Sequence, residues 1–315
     1  MRKMKPFADG IKLNCTVVAD THIDIKHPTP WLPQLRLSQV LDEMINSKCP
    51  VDAFVIAGDM TSRGTKINWE LFREVFKDRK KCANELLFVL GNHDTWNDST
   101  FADAFAEYKS ALSDVGAFVP EKVYFSKEVN GFPFIFLSSE FDGGCEANIG
   151  EEQLTWFAEQ MKEASKKKSP IFVFCHQSLN GKHGLPMTSD KDGTFDLPPE
   201  EGGVGAASQR IEEILKKYKN VYYISGHSHM GLAGERCARE GGYSTFEEED
   251  GVTFINLPSL ACGNHHGDEK SFTTGIQIEV YDKKVIIRPR SFAKHKWIKS
   301  VAIKNGRPYY FKETE

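Results

Sequence analysis

Short runs of apolar residues alternate along this chain with segments in which apolar residues recur at helical spacing. Runs of this length, rich in Val, Ile and Phe, are typical of strands buried on both faces. The runs lie at 13–19, 52–57, 85–90, 170–175 and 221–225. The helical spacing predicts helices over 34–48, 67–81, 98–114, 151–167 and 206–218. Ser99 is a candidate cap for the third helix, and Gly150 precedes the fourth.

Two further patterns indicate paired strands. The runs 121–129 and 132–138 are separated by Asn130-Gly131, which predicts a β-hairpin. After residue 250, the runs VTFINL, TTGIQIEVY and KKVIIRP predict consecutive antiparallel strands, with a tight turn at Asp282-Lys283 between the last two. Alternating strands and helices with a hairpin among them predict an α/β fold with mixed sheets flanked by helices.

Length and composition are those of an ordinary globular protein. The 315 residues predict a single domain over 1–315, with a core at about 13–260 and closing strands at 270–312. No apolar run approaches the roughly 20 residues that span a bilayer, and the basic N-terminus lacks an apolar signal core. The seven cysteines are scattered without a CxxC pair, which predicts reduced thiols and a cytoplasmic location.

Charge is unevenly distributed. The net charge of −4 gives no overall nucleic-acid signature, yet residues 283–312 hold ten Lys and Arg and no Asp or Glu. This stretch is either a solvated part of the fold or a basic patch for a polyanion. The segments VIIRPRSF and SVAIK interleave apolar with charged residues, as half-buried strands do. Trp297, Tyr309 and Tyr310 are large side chains that folds tend to pack. We therefore predict that this stretch is part of the fold.

Residues that commonly bind metals follow five of the predicted strands. They are Asp20-Thr21-His22, Gly58-Asp59, Gly91-Asn92-His93-Asp94, His176 and Gly226-His227-Ser228-His229. Each motif alone is as compatible with an ordinary turn as with a site, although alternate residues in H-x-H can share one ion. Ligands of α/β sheets bind beyond the carboxyl ends of strands, so the five motifs together predict one site if the strands share a sheet edge.

The order D-x-H, G-D, G-N-H-D, H and G-H-x-H, spanning 20–229, resembles the calcineurin-like metallophosphoesterase superfamily. The resemblance implies an αββα sandwich and two divalent metal ions bridged by Asp59. The implied ligands are Asp20, His22 and His229 for the first ion, and Asn92, His176 and His227 for the second. Imidazole, carboxylate and amide donors suit Mn²⁺, Fe²⁺ or Zn²⁺.

The resemblance also implies a hydrolytic mechanism. Two cations lower the pKa of a bridging water, and the resulting hydroxide attacks phosphorus in line with the leaving group. His93 resembles the general acid, or a group that stabilises the transition state. Relatives often have Asp where this chain has Ser62, so His93 is either less basic here or oriented by Asp94. Arg63 either holds phosphate, as in some relatives, or is a surface arginine.

Three functions remain open from the sequence. The first is hydrolysis of a small phosphomonoester or phosphodiester, although Gln177 after His176 disfavours a cyclic nucleotide. The second is a nuclease, and the third is a non-catalytic interaction module on the same fold. The loops 180–205 and 259–269 are either plain exposed loops or walls of a substrate pocket. The sequence predicts no membrane partner and leaves the substrate and the oligomeric state open.

Overall fold

The computed structural model contains two β-sheets packed face to face between two layers of helices. It describes residues 3–25, 31–97, 99–141, 144–183, 203–233, 243–261, 264, 273–299 and 302–308. The helices in this part are α1 (Leu32–Ile45), α2 (Lys66–Phe76), α3 (Phe101–Val115), α4 (Glu151–Ser165) and α5 (Ser208–Leu215). The strands are β1 (Leu13–Val18), β2 (Ala53–Ala57), β3 (Glu85–Val89), β4 (Phe125–Val129), β5 (Phe132–Phe136), β6 (Ile171–Phe174), β7 (Val221–Ser225), β8 (Phe246–Glu249), β9 (Val252–Asn256), β10 (Thr274–Tyr281), β11 (Lys284–Ser291), β12 (Lys296–Trp297), β13 (Ile303–Lys304) and β14 (Arg307–Pro308).

Both sheets are mixed, as the sequence predicts. The first has the order β14-β13-β11-β10-β1-β2-β3, with β12 paired to β11, and the second has the order β4-β5-β6-β7-β9-β8. Strands β1, β2 and β3 are parallel to one another, and so are β5, β6, β7 and β9. The strands that precede the candidate metal ligands therefore run parallel within each sheet.

The apolar runs form three layers of hydrophobic core, one between the two sheets and one between each sheet and its helices. Three layers arise because neighbouring side chains of a strand point to opposite faces. In β2, Val55 packs between the two sheets, whereas Phe54 and Ile56 pack against the helices of the first sheet. In β5, Phe134 packs between the sheets, whereas Ile135 packs towards α4 and α5. Every strand that leads to the site is thus covered on both faces, which fixes the positions of the strand ends.

The hairpins form as predicted. Asn130 and Gly131 connect β4 to β5 with φ of 50° and 85°, the left-handed conformation of a two-residue hairpin turn. Tyr281 pairs with Lys284, so Asp282-Lys283 is the tight turn between β10 and β11.

Two local expectations are wrong. β9 lies in the second sheet, parallel to β7, and does not continue into β10 of the first sheet. The long connection between β9 and β10 lets the chain change sheets, which an apolar pattern does not record. Thr100, not Ser99, caps α3, because the Thr100 side chain accepts a hydrogen bond from the Asp103 backbone. Ser99 instead bonds to Asn97.

Most of the described part of the basic stretch lies in strands of the first sheet. β11 is almost entirely buried, and the Trp297 ring lies under the guanidinium groups of Arg288 (3.6 Å) and Arg290 (4.5 Å). Arg288 pairs with Glu279, and Arg290 pairs with Glu43. Tyr309 and Tyr310 lie outside the described residues.

Two other composition-based expectations concern thiols and membranes. Cys15, Cys82 and Cys175 are buried thiols in the hydrophobic core. Among the described residues, none of the helices has the length and apolar character needed to cross a membrane.

Candidate metal centre

The five candidate motifs lie at the carboxyl ends of strands from both sheets, so the condition of a single shared sheet edge is not met. Those of β1, β2 and β3 belong to the first sheet, and those of β6 and β7 to the second. Face-to-face packing brings the two sets of strand ends together. The Asp20 N–H donates to Gly58 O (3.1 Å) within the first sheet, and both oxygens of the Asp20 carboxylate accept from His227 N of the second (3.1 and 3.2 Å).

Two groups of side chains converge there and share Asp59. One group is Asp20, His22, Asp59 and His229; the other is Asp59, His176 and His227. Within each group the candidate ligand atoms lie within 4.8 Å of one another. His22 Nε2 lies 3.0 Å from His229 Nε2 and 3.6 Å from Asp59 Oδ2. Asp59 Oδ2 is also 3.1 Å from His176 Nε2.

The described contacts leave specific atoms available as ligands. Asp59 Oδ1 accepts a hydrogen bond from His93 N (2.9 Å), which leaves Oδ2 between the two groups. His176 Nδ1 donates to Ala57 O (2.8 Å), so its Nε2 is the nitrogen that faces Asp59. Asn92 Oδ1 and His176 Nε2 are buried without an aligned hydrogen-bond partner. Buried polar atoms are rarely left in this state, so both are consistent with metal ligation.

Five of the candidate ligands have a left-handed backbone that non-glycine residues seldom adopt. Their φ angles are 55° for Asp20, 40° for His22, 53° for Asp59, 70° for His227 and 50° for His229. Each such residue costs about 1–3 kcal/mol and persists only where the surroundings enforce it. Clustering of this strain at one place is typical of a functional site.

Glycine is required before Asp59 for steric reasons. Gly58 has a φ of 90°, and a Cβ atom on it would lie 2.2 Å from His176 Nδ1. Close contact between the β2 end and the His176 ring therefore depends on the missing side chain. The G-D motif fixes the position of His176 as well as that of Asp59.

Burial and mutual contacts set the charges of the ligands. Burial alone raises the pKa of Asp59, but the charge of the His176 ring beside it outweighs burial, so the pKa is well below its usual range. Burial also opposes protonation of His176, yet Asp59 raises the pKa of that ring to about 9. Burial lowers the pKa values of His22 and His227 to about 3. Those two rings are therefore neutral at neutral pH, the state in which imidazole binds metals.

His93 is the half-buried ring beside this cluster. Its Nδ1 lies 2.8 Å from Ser62 O and its ring centroid 4.8 Å from that of His22. Because a carbonyl oxygen only accepts, Nδ1 carries the hydrogen, and a proton gained by the ring resides on Nε2. The Ser62 backbone carbonyl thus orients the ring without supplying a negative charge.

Asp94 is not the group that orients His93, and that alternative is wrong. Its carboxylate is buried and accepts hydrogen bonds from Thr61 N (2.9 Å), Gly91 N (3.0 Å) and Met60 N (3.3 Å). These bonds join the loops after β2 and β3. Burial, with the charge of Asp59, raises the pKa of Asp94 to about 7. Asp94 therefore holds the two loops in register and acts on His93 only indirectly.

Arg63 lies at the solvent side of the same loop. Its side chain is exposed, and no ion pair joins it to any of the described residues. The loop backbone itself is fixed, because Gly64 N donates to Thr61 Oγ1 and Gly64 O accepts from Asn97 Nδ2.

Asn256 at the end of β9 supports the site, and sequence reasoning missed it. Its buried amide donates to Ser178 Oγ (2.9 Å) and Gly226 O (3.0 Å), and its oxygen accepts from Ser228 Oγ (2.6 Å). It thereby connects the loop after β6 to the G-H-x-H loop after β7. The only sequence signal was an asparagine that ends an apolar strand, which also fits an ordinary turn.

The proposed loop walls lie mostly outside the described residues. These include Asp190, Lys191, Asp192, Phe195, His265 and His266. Of the others, Lys182 pairs with Glu212 (2.9 Å) and Glu249 (2.5 Å), so its charge is engaged within the protein. His183 is buried, and Asn264 bonds to the backbone of Ser259. None of these three described side chains is an exposed substrate contact.

Known proteins are similar to this chain in sequence and in fold. A family model for calcineurin-like phosphoesterases matches residues 13–231. The probable glycerophosphodiester phosphodiesterase GpdQ of Arcobacter nitrofigilis is 26% identical over 220 residues, which cover 67% of this chain and 70% of that protein.

Two solved structures have the same architecture. A dimetal phosphatase of Danio rerio has a TM-score of 0.62 and 13% identity, covering 94% of this chain and 99% of that one. The purple acid phosphatase PPD1 of yellow lupin has a TM-score of 0.62 and 14% identity, covering 93% of this chain and 53% of that one. The matched segment extends from β1 to the G-H-x-H loop and includes every candidate ligand, and the chain belongs to the calcineurin-like phosphoesterase family.

Proposed function

We propose that this protein is a metal-dependent hydrolase of phosphate esters, with phosphodiesters of small molecules as its preferred substrates. The observation that carries the proposal is the convergence of two buried carboxylates and four histidines on two groups that share Asp59. The ligand types, the neutral state of His22 and His227 and the orphaned atoms of Asn92 and His176 all suit bound divalent cations. Similarity to a probable glycerophosphodiester phosphodiesterase favours diesters over monoesters.

In this proposal the seven ligands hold two ions. Asp20, His22 and His229 belong to one ion, and Asn92, His176 and His227 to the other, with Asp59 shared. Two divalent cations at such a site activate water as a nucleophile and neutralise charge on the phosphoryl oxygens. Mn²⁺, Fe²⁺ and Zn²⁺ are the ions that this donor set suits.

The chain's own residues have complementary roles. Nδ1–H of His93 is bonded to Ser62 O, so the protonated ring presents an N–H at Nε2 and can give that proton to the leaving oxygen. Arg63 is exposed, has no ion pair among the described residues and can pair with a phosphate oxygen. Asp94 keeps the loops that carry Asp59 and His93 at a fixed separation.

A metal-reconstituted substrate screen tests this function. Protein stripped with a chelator and reloaded with Mn²⁺, Fe²⁺ or Zn²⁺ should hydrolyse bis-p-nitrophenyl phosphate or glycerophosphodiesters faster than p-nitrophenyl phosphate. Asp59→Asn should lose both bound metal and turnover, because it removes the ligand common to the two groups. Asp282→Asn is the matched control, since the Asp282 side chain is 80% exposed in a remote turn. Native metal content and turnover in Asp59→Asn would refute the proposed site.

Two alternatives predict different results in the same screen. A nuclease would cleave single-stranded DNA in preference to the small diesters, with salt-sensitive binding. A non-catalytic module would bind metal and turn over none of the substrates.

A further inference from the structure

Trp96 is an exposed indole on a loop whose backbone is fixed. Its side chain is 59% exposed, although Thr95 next to it is only 4% exposed. The loop is held by hydrogen bonds from Trp96 N to His93 O (3.3 Å) and from Asn97 Nδ2 to Gly64 O (3.0 Å). A large apolar ring kept in water by an ordered backbone is available for contact with a ligand.

This indole ends a row of rings that starts in the metal centre. The ring centroids of His229 and His22 are 4.9 Å apart, those of His22 and His93 4.8 Å, and those of His93 and Trp96 4.7 Å. The row leads from His22, which is 4% exposed, to the solvent at Trp96. A substrate whose phosphate lies at the inner end and whose leaving oxygen is at His93 extends its leaving group towards the indole.

We propose that Trp96 is a stacking platform for a planar leaving group, so that preferred substrates are esters in which phosphate is joined to a nucleoside. The proposal rests on the function proposed above and narrows its substrate class. Stacking on an aromatic side chain tolerates any base because each base has a π-face. Arg63 lies on the loop that Asn97 joins through Gly64 O, and its exposed positive charge suits an anionic nucleotide.

The competing explanation is that Trp96 only supports the His93 ring. The edge-to-face contact between the two rings, at an interplanar angle of 68°, is compatible with that role. If Trp96 only supports His93, the site requires bulk beside that ring. Replacing Trp96 should then lower the rate of hydrolysis equally for all alkyl esters. A platform role requires a flat ring and predicts a loss confined to substrates that carry a base.

The test compares Trp96→Leu, which keeps apolar bulk, with Trp96→Phe, which keeps a ring. Each Mn²⁺-loaded variant is assayed on AMP against glycerol 3-phosphate, and on the dinucleotide ApA against glycerophosphocholine. Within each pair the leaving groups are alkoxides, so damage to His93 lowers both rates together. We expect the nucleoside-to-glycerol ratio of kcat/KM to fall at least about fivefold in Trp96→Leu, the lower limit for loss of base stacking, and to stay within about twofold in Trp96→Phe.

An unchanged ratio in Trp96→Leu would overturn the platform, whatever the absolute rates. Binding gives a second readout that is independent of turnover. Titration of the metal-loaded wild type with AMP should quench tryptophan fluorescence, and Trp96→Phe should lose that component. If the wild type hydrolyses none of the four esters, the proposed function fails. In that case the fluorescence titration alone tests the platform. Quenching that disappears in Trp96→Phe supports base stacking on Trp96, and the absence of quenching in the wild type refutes it.

Discussion

At the scale of single residues, the site is defined by which nitrogen or oxygen each side chain leaves unengaged. His176 donates through Nδ1 to a backbone carbonyl, and Asp59 accepts through Oδ1 from a backbone amide. As a result, His176 Nε2 and Asp59 Oδ2 face each other at the centre of the candidate site. Partners of this kind fix the tautomer and the orientation of metal ligands.

His93 offers the most direct test of a catalytic role. We expect His93→Ala to retain bound metal, because none of the identified ligand groups includes this ring. The rate on an alkyl phosphodiester should fall by about 10²–10⁴-fold, the usual contribution of a general acid. The loss should be much smaller for bis-p-nitrophenyl phosphate, since p-nitrophenolate leaves without protonation.

The pattern of losses in His93→Ala separates the possible roles. Equal losses for the two leaving groups would assign His93 to charge stabilisation. A fall in metal content, measured by mass spectrometry, would contradict its place outside the ligand set.

At the scale of elements, the strand ends carry the site because both faces of each strand are packed. The turn after β2 depends on Gly58, whose missing side chain leaves room for the His176 ring. A methyl group added at this turn should therefore displace His176, a candidate ligand that belongs to the other sheet.

Gly58→Ala tests this coupling, with Gly131→Ala as its matched control. Gly58 and Gly131 have φ of 90° and 85°, so both substitutions impose similar backbone strain of about 1–2 kcal/mol. Only the Cβ at position 58 meets another group, whereas position 131 has nothing within 4 Å. We expect Gly58→Ala to lose metal affinity and activity, and Gly131→Ala to lose stability alone. Equal metal affinity in the two variants, measured by titration, would show that the loop adapts.

The basic C-terminal segment is a second element with a specific expectation. Neutralising Lys294, Lys296 and Lys299 together should leave hydrolysis of a small phosphoester within about threefold, because screened surface charges act weakly beyond a Debye length of roughly 8–10 Å. Trp297→Ala is the contrasting variant. It removes the ring that contacts the guanidinium groups of Arg288 and Arg290 and should lower the free energy of unfolding by about 1–3 kcal/mol.

DNA binding tests the other interpretation of the basic C-terminal segment, that it is a patch for a polyanion. If the triple lysine variant loses tight, salt-sensitive binding to DNA while small-substrate turnover persists, the nuclease hypothesis replaces a small-molecule substrate.

At the scale of the whole molecule, the site lies where two sheets meet and unites distant parts of the chain. Asp20 contacts the backbone of His227 across 207 residues, and the Ser259 hydroxyl donates to Asp20 O. Left-handed backbones at five candidate ligands oppose folding, and ligation of cations by these residues would offset that cost. Bound metal should therefore stabilise the entire fold.

Thermal unfolding measures this linkage. Free metal at about 100 times its Kd should add about 2.7 kcal/mol to the stability of the metal-stripped protein, a rise in Tm of about 5 °C. Asp59→Asn should show little of this rise, because it lacks the shared ligand. An equal rise in both proteins would place the stabilising ion elsewhere.

The sequence by itself predicted the strands that lead to the site, the five helices and the candidate metal ligands. Buried strands need continuous apolar runs, and side chains that bind metals come from a few residue types, so both can be recognised from residue type and spacing. The resemblance of the motif order from Asp20 to His229 added a proposed grouping of ligands, and its six Asp and His members lie in two clusters that share Asp59.

Only the tertiary structure decided how these parts meet. The distribution of the motifs over two sheets, the place of β9 beside β7, the hydrogen bond from His93 to Ser62 O and the support from Asn256 all depend on contacts between distant segments. Each of these contacts involves a backbone group or a common polar side chain, whose partner is chosen by packing and leaves no distinctive pattern in the sequence.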